Sequence, residues 1–145
     1  MTTAAKRTFG NELWMGPGGG TLVKIPELRS VTPPKGSRDT IDATTHDSPE
    51  GAMEFIASGV YDPGTLNFSI NHIAGSTADD SLAAAFGDAD LRDFKVVLKG
   101  ASTTEEYTFS GFVTTYGPDD QPTNGLQTAS GTIRVSGPVT QAATA

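Results

Sequence analysis

The sequence predicts a mainly β fold, a β-sandwich or barrel flanked by one short α-helix. Three observations lead to this prediction. Segments rich in β-branched and aromatic residues, with alternating apolar and polar positions, recur along the chain. Only one segment carries the signals of a helix. In addition, 17 glycines among 145 residues indicate many turns, and this length suits one compact domain.

The strand predictions rest on period-two alternation. The segment TLNFSI, for example, places Leu66, Phe68 and Ile70 on one face and Asn67 and Ser69 on the other. One face of each strand is therefore available for a core and the other for water or a partner. The turn-forming residues GPDDQPTNG join the last two strands into a predicted hairpin. The six predicted strands are residues 21–25, 40–44, 65–70, 94–99, 107–116 and 131–137.

The predicted helix lies in STADDSLAAAFGDADL. Thr77 is the expected N-cap, and Asp79 and Asp80 lie in the first turn, where the helix dipole favours carboxylates. Leu82 and Phe86 are four residues apart, so they share one helix face. We expect this face to cover one flank of the β domain.

Two segments fit the β domain poorly. Residues 1–20 are rich in glycine near their end and predict no regular element, so we expect an extended N-terminal arm that uses Trp14 as apolar surface. The remainder, residues 21–145, is predicted to be a single β-domain. The second segment is the long inter-strand loop THDSPEGAMEFIASG, which shows neither a clear strand nor a clear helix.

The long loop is predicted to be an assembly surface. Ordering about fifteen residues costs roughly 1–2 kcal/mol each, whereas apolar burial returns about 25 cal/mol per Å². The few apolar side chains of the loop cannot offset this cost within a small domain, but contact with several neighbouring subunits can. We therefore expect the loop to be mobile in the isolated chain and ordered on assembly. Its expected contact residues are His46, Asp47, Glu50, Met53, Phe55 and Ile56.

The charge distribution is uneven. The net charge is −7, yet six of the ten basic residues lie at or before Arg38, where only two carboxylates occur. A protein that binds duplex nucleic acid tightly needs a broad basic face, which is not expected for this charge balance. Opposite charges on different parts of the chain suit self-association through two complementary surfaces, although scattered solvated charges are the alternative interpretation.

Catalytic and cofactor chemistry is not expected. The chain has no cysteine, and His46 with its acidic neighbours does not supply the three or four convergent ligands of a zinc site. A glycine-rich segment at residues 16–24 lacks the ending of a phosphate-binding loop. The N-terminal residues lack the apolar core of a signal peptide, and no apolar run is long enough to span a membrane. We therefore expect a structural protein made in a cytoplasm.

The order of the motifs resembles a known family. VTPPKGSRDTIDATTHDS, GVYDPGTLNFSIN, a capped helix, DFKVVLKG, YTFSGFVTTYGP and SGTIRVSGPVT follow one another as in the major tail tube proteins of long-tailed bacteriophages and of related particles such as gene transfer agents. The similarity covers roughly residues 20–140. It consists of strand and turn patterns and includes no catalytic signature.

The resemblance implies rings of six subunits whose inner strands form a continuous barrel, stacked into a tube through which DNA passes without sequence-specific binding. It implies that the long loop and the N-terminal arm mediate stacking, and that tail tip, tape measure and terminator proteins are further partners. The protein would be assembled in the bacterial cytoplasm and reside in the virion tail. Either Asn67 and Ser69 or Lys95 and Lys99 would face the lumen.

A small β-sandwich binding module of the adhesin or carbohydrate-binding type is the alternative. In that interpretation THDSPEG and GPDDQPTNG would be recognition loops, and Trp14 and Tyr116 would be candidate sugar platforms.

Overall fold

The described part of the chain contains one large sheet, one two-stranded hairpin and one α-helix. A computed structural model describes residues 10–16, 22–88, 90–99, 103–119 and 123–144. Within these residues the strands are β1 (Glu12–Met15), β2 (Val23–Lys24), β3 (Leu28–Thr32), β4 (Ser37–Asp42), β5 (Phe55–Asp62), β6 (Thr65–Asn71), β7 (Arg92–Lys99), β8 (Thr104–Pro118), β9 (Thr128–Val135) and β10 (Thr140–Thr144), and the helix is α1 (Thr77–Asp88).

The large sheet is antiparallel, with strand order β2-β1-β7-β8-β9-β6-β3 and with β10 paired to β8. β8 connects two halves of this sheet because it is 15 residues long. The first half of β8, up to Gly111, pairs with β7 and β10. The second half, from Gly111 onward, pairs with β9. A register shift between Val113 and Thr115 marks a bulge in the second half. The predicted β8–β9 hairpin is thereby confirmed.

One hydrophobic core lies between the two halves of the sheet and the helix. Leu66, Phe68 and Ile70 point into this core, so the alternation predicted for β6 is confirmed. α1 contributes Leu82 and Ala85 to the same core. The largest fully buried side chains are Phe94, Leu13, Leu66, Leu82, Ile133 and Val96. The mainly β fold with one short helix is therefore confirmed.

The helix differs from its prediction in two details. Ser76, and not Thr77, is the N-cap, because its Oγ accepts a hydrogen bond from the Asp79 N–H at 3.2 Å. The Asp79 carboxylate in turn accepts one from the Gly75 N–H at 3.3 Å. Phe86 is half exposed and Ala85 takes its expected place in the core. The buried face of α1 therefore includes Leu82 and Ala85 but not Phe86.

The N-terminal segment also differs from its prediction. Glu12–Met15 form strand β1, which pairs with β7 and β2, and Leu13 and Met15 are buried. The prediction that no regular element precedes residue 20 is wrong here, since a four-residue strand beside glycines has too few positions to show a period. Residues 1–9 and 17–20 lie outside the described residues, and the division of the chain at residue 20 stays a prediction.

Candidate assembly surfaces

β4 and β5 form a hairpin that is exposed along nearly its whole length. These strands pair only with each other, in a sheet separate from the large one. We call residues 37–62 the hairpin. It continues from the Thr32 end of β3 and returns to the Thr65 end of β6. Every residue of β4 and all but one residue of β5 are exposed.

The hairpin exposes apolar side chains at and beside its tip, by which we mean residues 43–54 between β4 and β5. Met53, Phe55 and Ile56 are 64%, 53% and 56% exposed, and Ile41 pairs with Ile56 across the hairpin. Soluble monomers rarely leave such a cluster uncovered, and an exposed apolar patch marks a contact surface. The hairpin also carries six carboxylate groups against one arginine, so most of the net negative charge of the chain lies on it.

The polar residues of the tip hold the turn together. The Thr45 N–H donates to Ser48 Oγ at 2.9 Å, and the Ser48 N–H donates to the Thr45 carbonyl at 3.1 Å. The Asp47 N–H donates to Thr45 Oγ1 at 3.3 Å. A short 3₁₀ turn, Pro49–Gly51, follows. These residue types therefore build a compact turn, as short hydroxyl and carboxylate side chains commonly do.

The neck of the tip is closed by Thr44 and Glu54. The Glu54 N–H donates to Thr44 Oγ1 at 2.8 Å, and the Ala43 N–H donates to the Glu54 carbonyl at 2.8 Å. Hydrogen bonds from Thr44 also lower the pKa of the Asp42 carboxyl. His46, Asp47 and Glu50 are exposed in the tip. Within the described residues, no three histidine, aspartate or glutamate side chains converge into a metal-binding group.

The base of the hairpin is attached to the large sheet by a salt bridge. Asp62 accepts a hydrogen bond from Arg134 of β9, with Nη2 and Oδ1 2.8 Å apart. The backbone N–H of Gly64 and then Arg134 lower the pKa of Asp62. Within the hairpin, the Arg38 guanidinium lies 4.9 Å from the centre of the Tyr61 ring and donates to the Ser58 carbonyl at 2.5 Å. Asp62 therefore links the base of the hairpin to β9, whereas Arg38 joins the two strands of the hairpin.

A second surface consists of the outward side chains of β3, β6 and β9. Asn67 and Ser69 lie on this face, opposite the buried side of β6. The Thr132 hydroxyl donates to Asn67 Oδ1 at 2.9 Å. We call six of its residues the hydroxyl face, because the cross-strand register aligns these uncharged polar side chains: Ser30, Thr32, Asn67, Ser69, Ser130 and Thr132. Arg134 borders them on β9, where it pairs with Thr65.

Comparison with known proteins identifies the family. A family model described as the lambda phage tail tube protein matches residues 12–142. The chain belongs to this family. Its role is therefore structural, in the formation of a tube, and the predicted resemblance is confirmed. A comparison with curated proteins found no match. No helix in the described ranges has the length and apolar character needed to cross a membrane.

Solved tail structures share the fold of this tail tube family member. The tail of an empty gene transfer agent particle, refined with C6 symmetry, superposes with a TM-score of 0.76 at 16% identity, covering 94% of this chain and 98% of that one. The sheath/tube terminator structure of an extracellular contractile injection system has a TM-score of 0.74 at 16% identity, with 98% and 99% covered. The SPP1 tail tube has a TM-score of 0.63 at 9% identity, with 90% and 75% covered.

The structure places Trp14 away from the hairpin. Trp14 lies on β1, where its Nε1 donates to Glu12 at 3.0 Å and Lys95 Nζ lies 4.7 Å from the centre of its ring. Lys99 approaches the same Glu12 carboxylate at 2.9 Å, and its hydrogen bond is the main cause of the lowered pKa of Glu12. Trp14, Lys95 and Lys99 therefore form a charged cluster on β1 and β7 that is distinct from the hairpin.

The two candidate sugar platforms of the alternative interpretation are engaged within the tail tube domain. Lys95 lies over the Trp14 ring, and the Tyr116 hydroxyl donates to Asp79 at 2.6 Å. Burial and this hydrogen bond raise the pKa of Tyr116. Neither ring is presented as an open stacking surface. Because the chain belongs to the tail tube family, a structural role is supported in place of a binding module.

Sequence reasoning missed several residues of the hairpin surface. Val60 and Tyr61 are exposed on β5, and Ile41 is exposed on β4. The β-branched and aromatic content of FIASGVYD was a usable strand signal, but both faces of β5 are exposed. Alternation of apolar and polar residues is therefore absent, because no core lies on either side.

Proposed function

We propose that this chain forms rings of six subunits that stack head to tail into a tail tube, a conduit through which DNA passes. The observation that carries this proposal is the hairpin, which projects from one end of the large sheet with Met53, Phe55 and Ile56 exposed. A surface that meets a different surface on the next copy is heterologous and generates an open filament. The fold shared with a C6-symmetric gene transfer agent tail supports six subunits per ring.

The ring closes through two sheet edges. β3 is the last strand in the order of the large sheet, and beyond Gly111 β8 pairs with β9 alone among the described strands. Unpaired strand edges are templates for pairing with another chain. Pairing of β3 with the second half of β8 in the neighbouring subunit would continue the sheet around the ring and remove both edges.

The hydroxyl face lines the lumen in this proposal. Asn67 and Ser69 present uncharged groups, which offer no cation to hold phosphates as DNA slides. Lys95 and Lys99, the other candidates, already neighbour Trp14 and Glu12. The DNA therefore passes without sequence-specific contacts. The proposal requires no catalysis, no cofactor and no membrane insertion.

The further partners are other components of the tail. Tail tip, tape measure and terminator proteins would contact the ends or the interior of the tube, and assembly would take place in the host cytoplasm before the tube becomes part of the virion. The fold shared with a structure that contains a tube terminator, and with the baseplate of the anti-feeding prophage, supports these partners.

Shortening the hairpin tests the proposal. The register of β4 and β5 ends at Asp42 and Phe55, and two further residues in the same register would bring Thr44 opposite Met53. Residues 45–52 can therefore be replaced by Asn-Gly, the preferred two-residue turn. This variant should melt within a few degrees of the wild type, because the removed residues lie outside the core. In electron micrographs it should form no tubes. Tubes of normal length from this variant would contradict the proposal.

A further inference from the structure

A groove runs along α1, between the helix and the segment from β2 to the start of β3. Its volume is about 530 Å³. One wall is the helix, which presents small side chains, and the other is the segment from β2 to the start of β3, with Met15 beside it. The lining residues on which the argument depends are Lys24, Ile25, Pro26, Thr77, Ala84 and Arg92.

The part of the groove lined by Pro26 and Thr77 and the hairpin lie at opposite ends of the β3–β6 pair. Pro26 lies two residues before β3 begins, and Thr77 starts the helix shortly after β6 ends. The hairpin, in contrast, leaves from the other end of β3 and returns to the other end of β6. When copies stack head to tail, the hairpin of one copy points toward the groove end of the next.

The chemistry of the groove complements that of the hairpin tip. The lining is mostly apolar or small, and its charged members are Lys24 and Arg92, with no carboxylate among them. The hairpin tip presents Met53 and Phe55 together with an excess of carboxylates. Apolar contact would supply affinity, and the opposite charges would orient the contact.

Arg92 has unused hydrogen-bonding capacity at this groove. Its side chain is only 10% exposed, and its Nη2 donates to Asp88 at 2.6 Å. Its buried Nε, however, has no hydrogen-bond partner among the described residues. A buried donor without a partner destabilises the protein, so an arriving acceptor would be stabilised there.

We infer that this groove is the receptor for the hairpin tip of the next copy in the stack. Met53 or Phe55 of one copy enters between α1 and Pro26 of the next, and a hairpin carboxylate lies beside Lys24 or Arg92. This inference rests on the proposed head-to-tail tube and specifies the contact that builds it.

Two adjacent alanines of α1 provide a matched test. Ala83 and Ala84 are both exposed, but only Ala84 lines the groove. Ala84→Trp should fill the groove and lower the yield of tubes in electron micrographs at least tenfold, leaving single rings, whereas Ala83→Trp should assemble normally. Both variants should melt like the wild type. Equal tube yields from the two variants would overturn the inference.

Disulfide trapping identifies the contact directly, because the chain has no cysteine. Met53→Cys combined with Ala84→Cys should give a ladder of covalent multimers when assembled material is oxidised. Met53→Cys combined with Thr108→Cys, which is exposed on β8, should give no ladder. Suppose that wild-type tubes form but that only the second pair gives a ladder, or that neither pair does. The groove is then not the receptor, whereas the proposed tube is unaffected. If the wild type forms no tubes, the proposed function itself fails.

Discussion

The phenylalanine side chains occupy two kinds of environment. Phe68 is 3% exposed in the core, whereas Phe55 is half exposed on the hairpin. Both lie on strands, so their difference comes from what the strand faces and not from local structure. Phenylalanine in the core stabilises the fold, and phenylalanine on the hairpin is available for assembly.

Substitution by aspartate separates these two roles. Phe68→Asp should lower the free energy of unfolding by about 4 kcal/mol or more, because it removes core packing and buries a charge. Phe55→Asp should leave the melting temperature of the monomer within a few degrees of the wild type and reduce tube formation. Thermal melts with the reverse order would contradict the assignment of Phe55 to an assembly surface.

Gly131 is required by close packing. A Cβ added there would lie 2.7 Å from Phe68 Cζ and 2.7 Å from the Thr115 carbonyl oxygen. Gly131→Ala should therefore cost about 2 kcal/mol in denaturant unfolding. Gly117, on β8, is the matched control, since an added Cβ there meets no atom within 4 Å. Gly117→Ala should be neutral or slightly stabilising, and equal losses at both sites would contradict the packing explanation.

At the scale of the element, α1 is attached to β8 through Asp79. Tyr116 donates to the Asp79 carboxylate at 2.6 Å, and His72 Nδ1 lies 3.8 Å from the same oxygen. The Tyr116 hydrogen bond is the main cause of the lowered pKa of Asp79. The Asp79 carboxylate on the first turn therefore binds the backbone that precedes the helix and also ties the helix to the sheet.

This attachment predicts a pH dependence of stability. Because the folded pKa of Asp79 is lowered from the ordinary 3.8, its contribution is fully present above pH 3.8 and is lost as the pH falls through the folded pKa. Asp79→Asn should therefore be less stable than the wild type at pH 7, and the difference in melting temperature should shrink below pH 4. Asp80→Asn, an exposed neighbour in the same turn, should show a much smaller change. Equal profiles for the two variants would contradict the role of Asp79.

The hairpin is an element without a core of its own. A two-stranded sheet is at best marginally stable in water. We expect amide hydrogens of β4 and β5 to exchange rapidly in the monomer and to become protected in assembled tubes, whereas those of β6 and β9 should be protected in both. Slow exchange of the hairpin in the monomer would contradict the prediction that assembly orders it.

At the scale of the whole molecule, two outward-facing regions of the large sheet differ in charge. The six residues of the hydroxyl face are uncharged and are bordered by Arg134, whereas the charged cluster around Glu12 lies on β1 and β7. A tube needs a lumen that does not retain DNA and an outer wall for other contacts. The separation of these two surfaces on one subunit is consistent with that division.

Lysines added to each surface test which one faces the lumen. Tubes of the Asn67→Lys/Ser69→Lys variant should retain short duplex DNA that is protected from nuclease, because the DNA is held inside. Tubes of Thr108→Lys/Thr140→Lys, two residues paired on β8 and β10, should bind DNA that nuclease can digest. Protection by the second variant alone would reverse the assignment of the lumen.

Individual elements show which secondary structure could be predicted from sequence patterns. β6 and β9 were predictable because each has one buried and one exposed face, so their residues alternate. α1 was predictable from its first turn, although its cap was shifted by one residue. β1 was missed because its four residues are too few to show a period, and only its pairing with β7 makes it a strand.

The hairpin shows which properties of the protein follow from local sequence and which require the tertiary structure. By itself the sequence determined a mainly β chain, the inward faces of its regular strands, the family, and the stretch of residues expected to serve assembly, because each of these follows from local pattern and motif order. The tertiary structure alone decided that this stretch is a projecting hairpin, that Trp14 belongs to a different surface, and that a groove lies at the opposite end of the β3–β6 pair. Those facts depend on contacts between residues far apart in the chain, which no local pattern encodes.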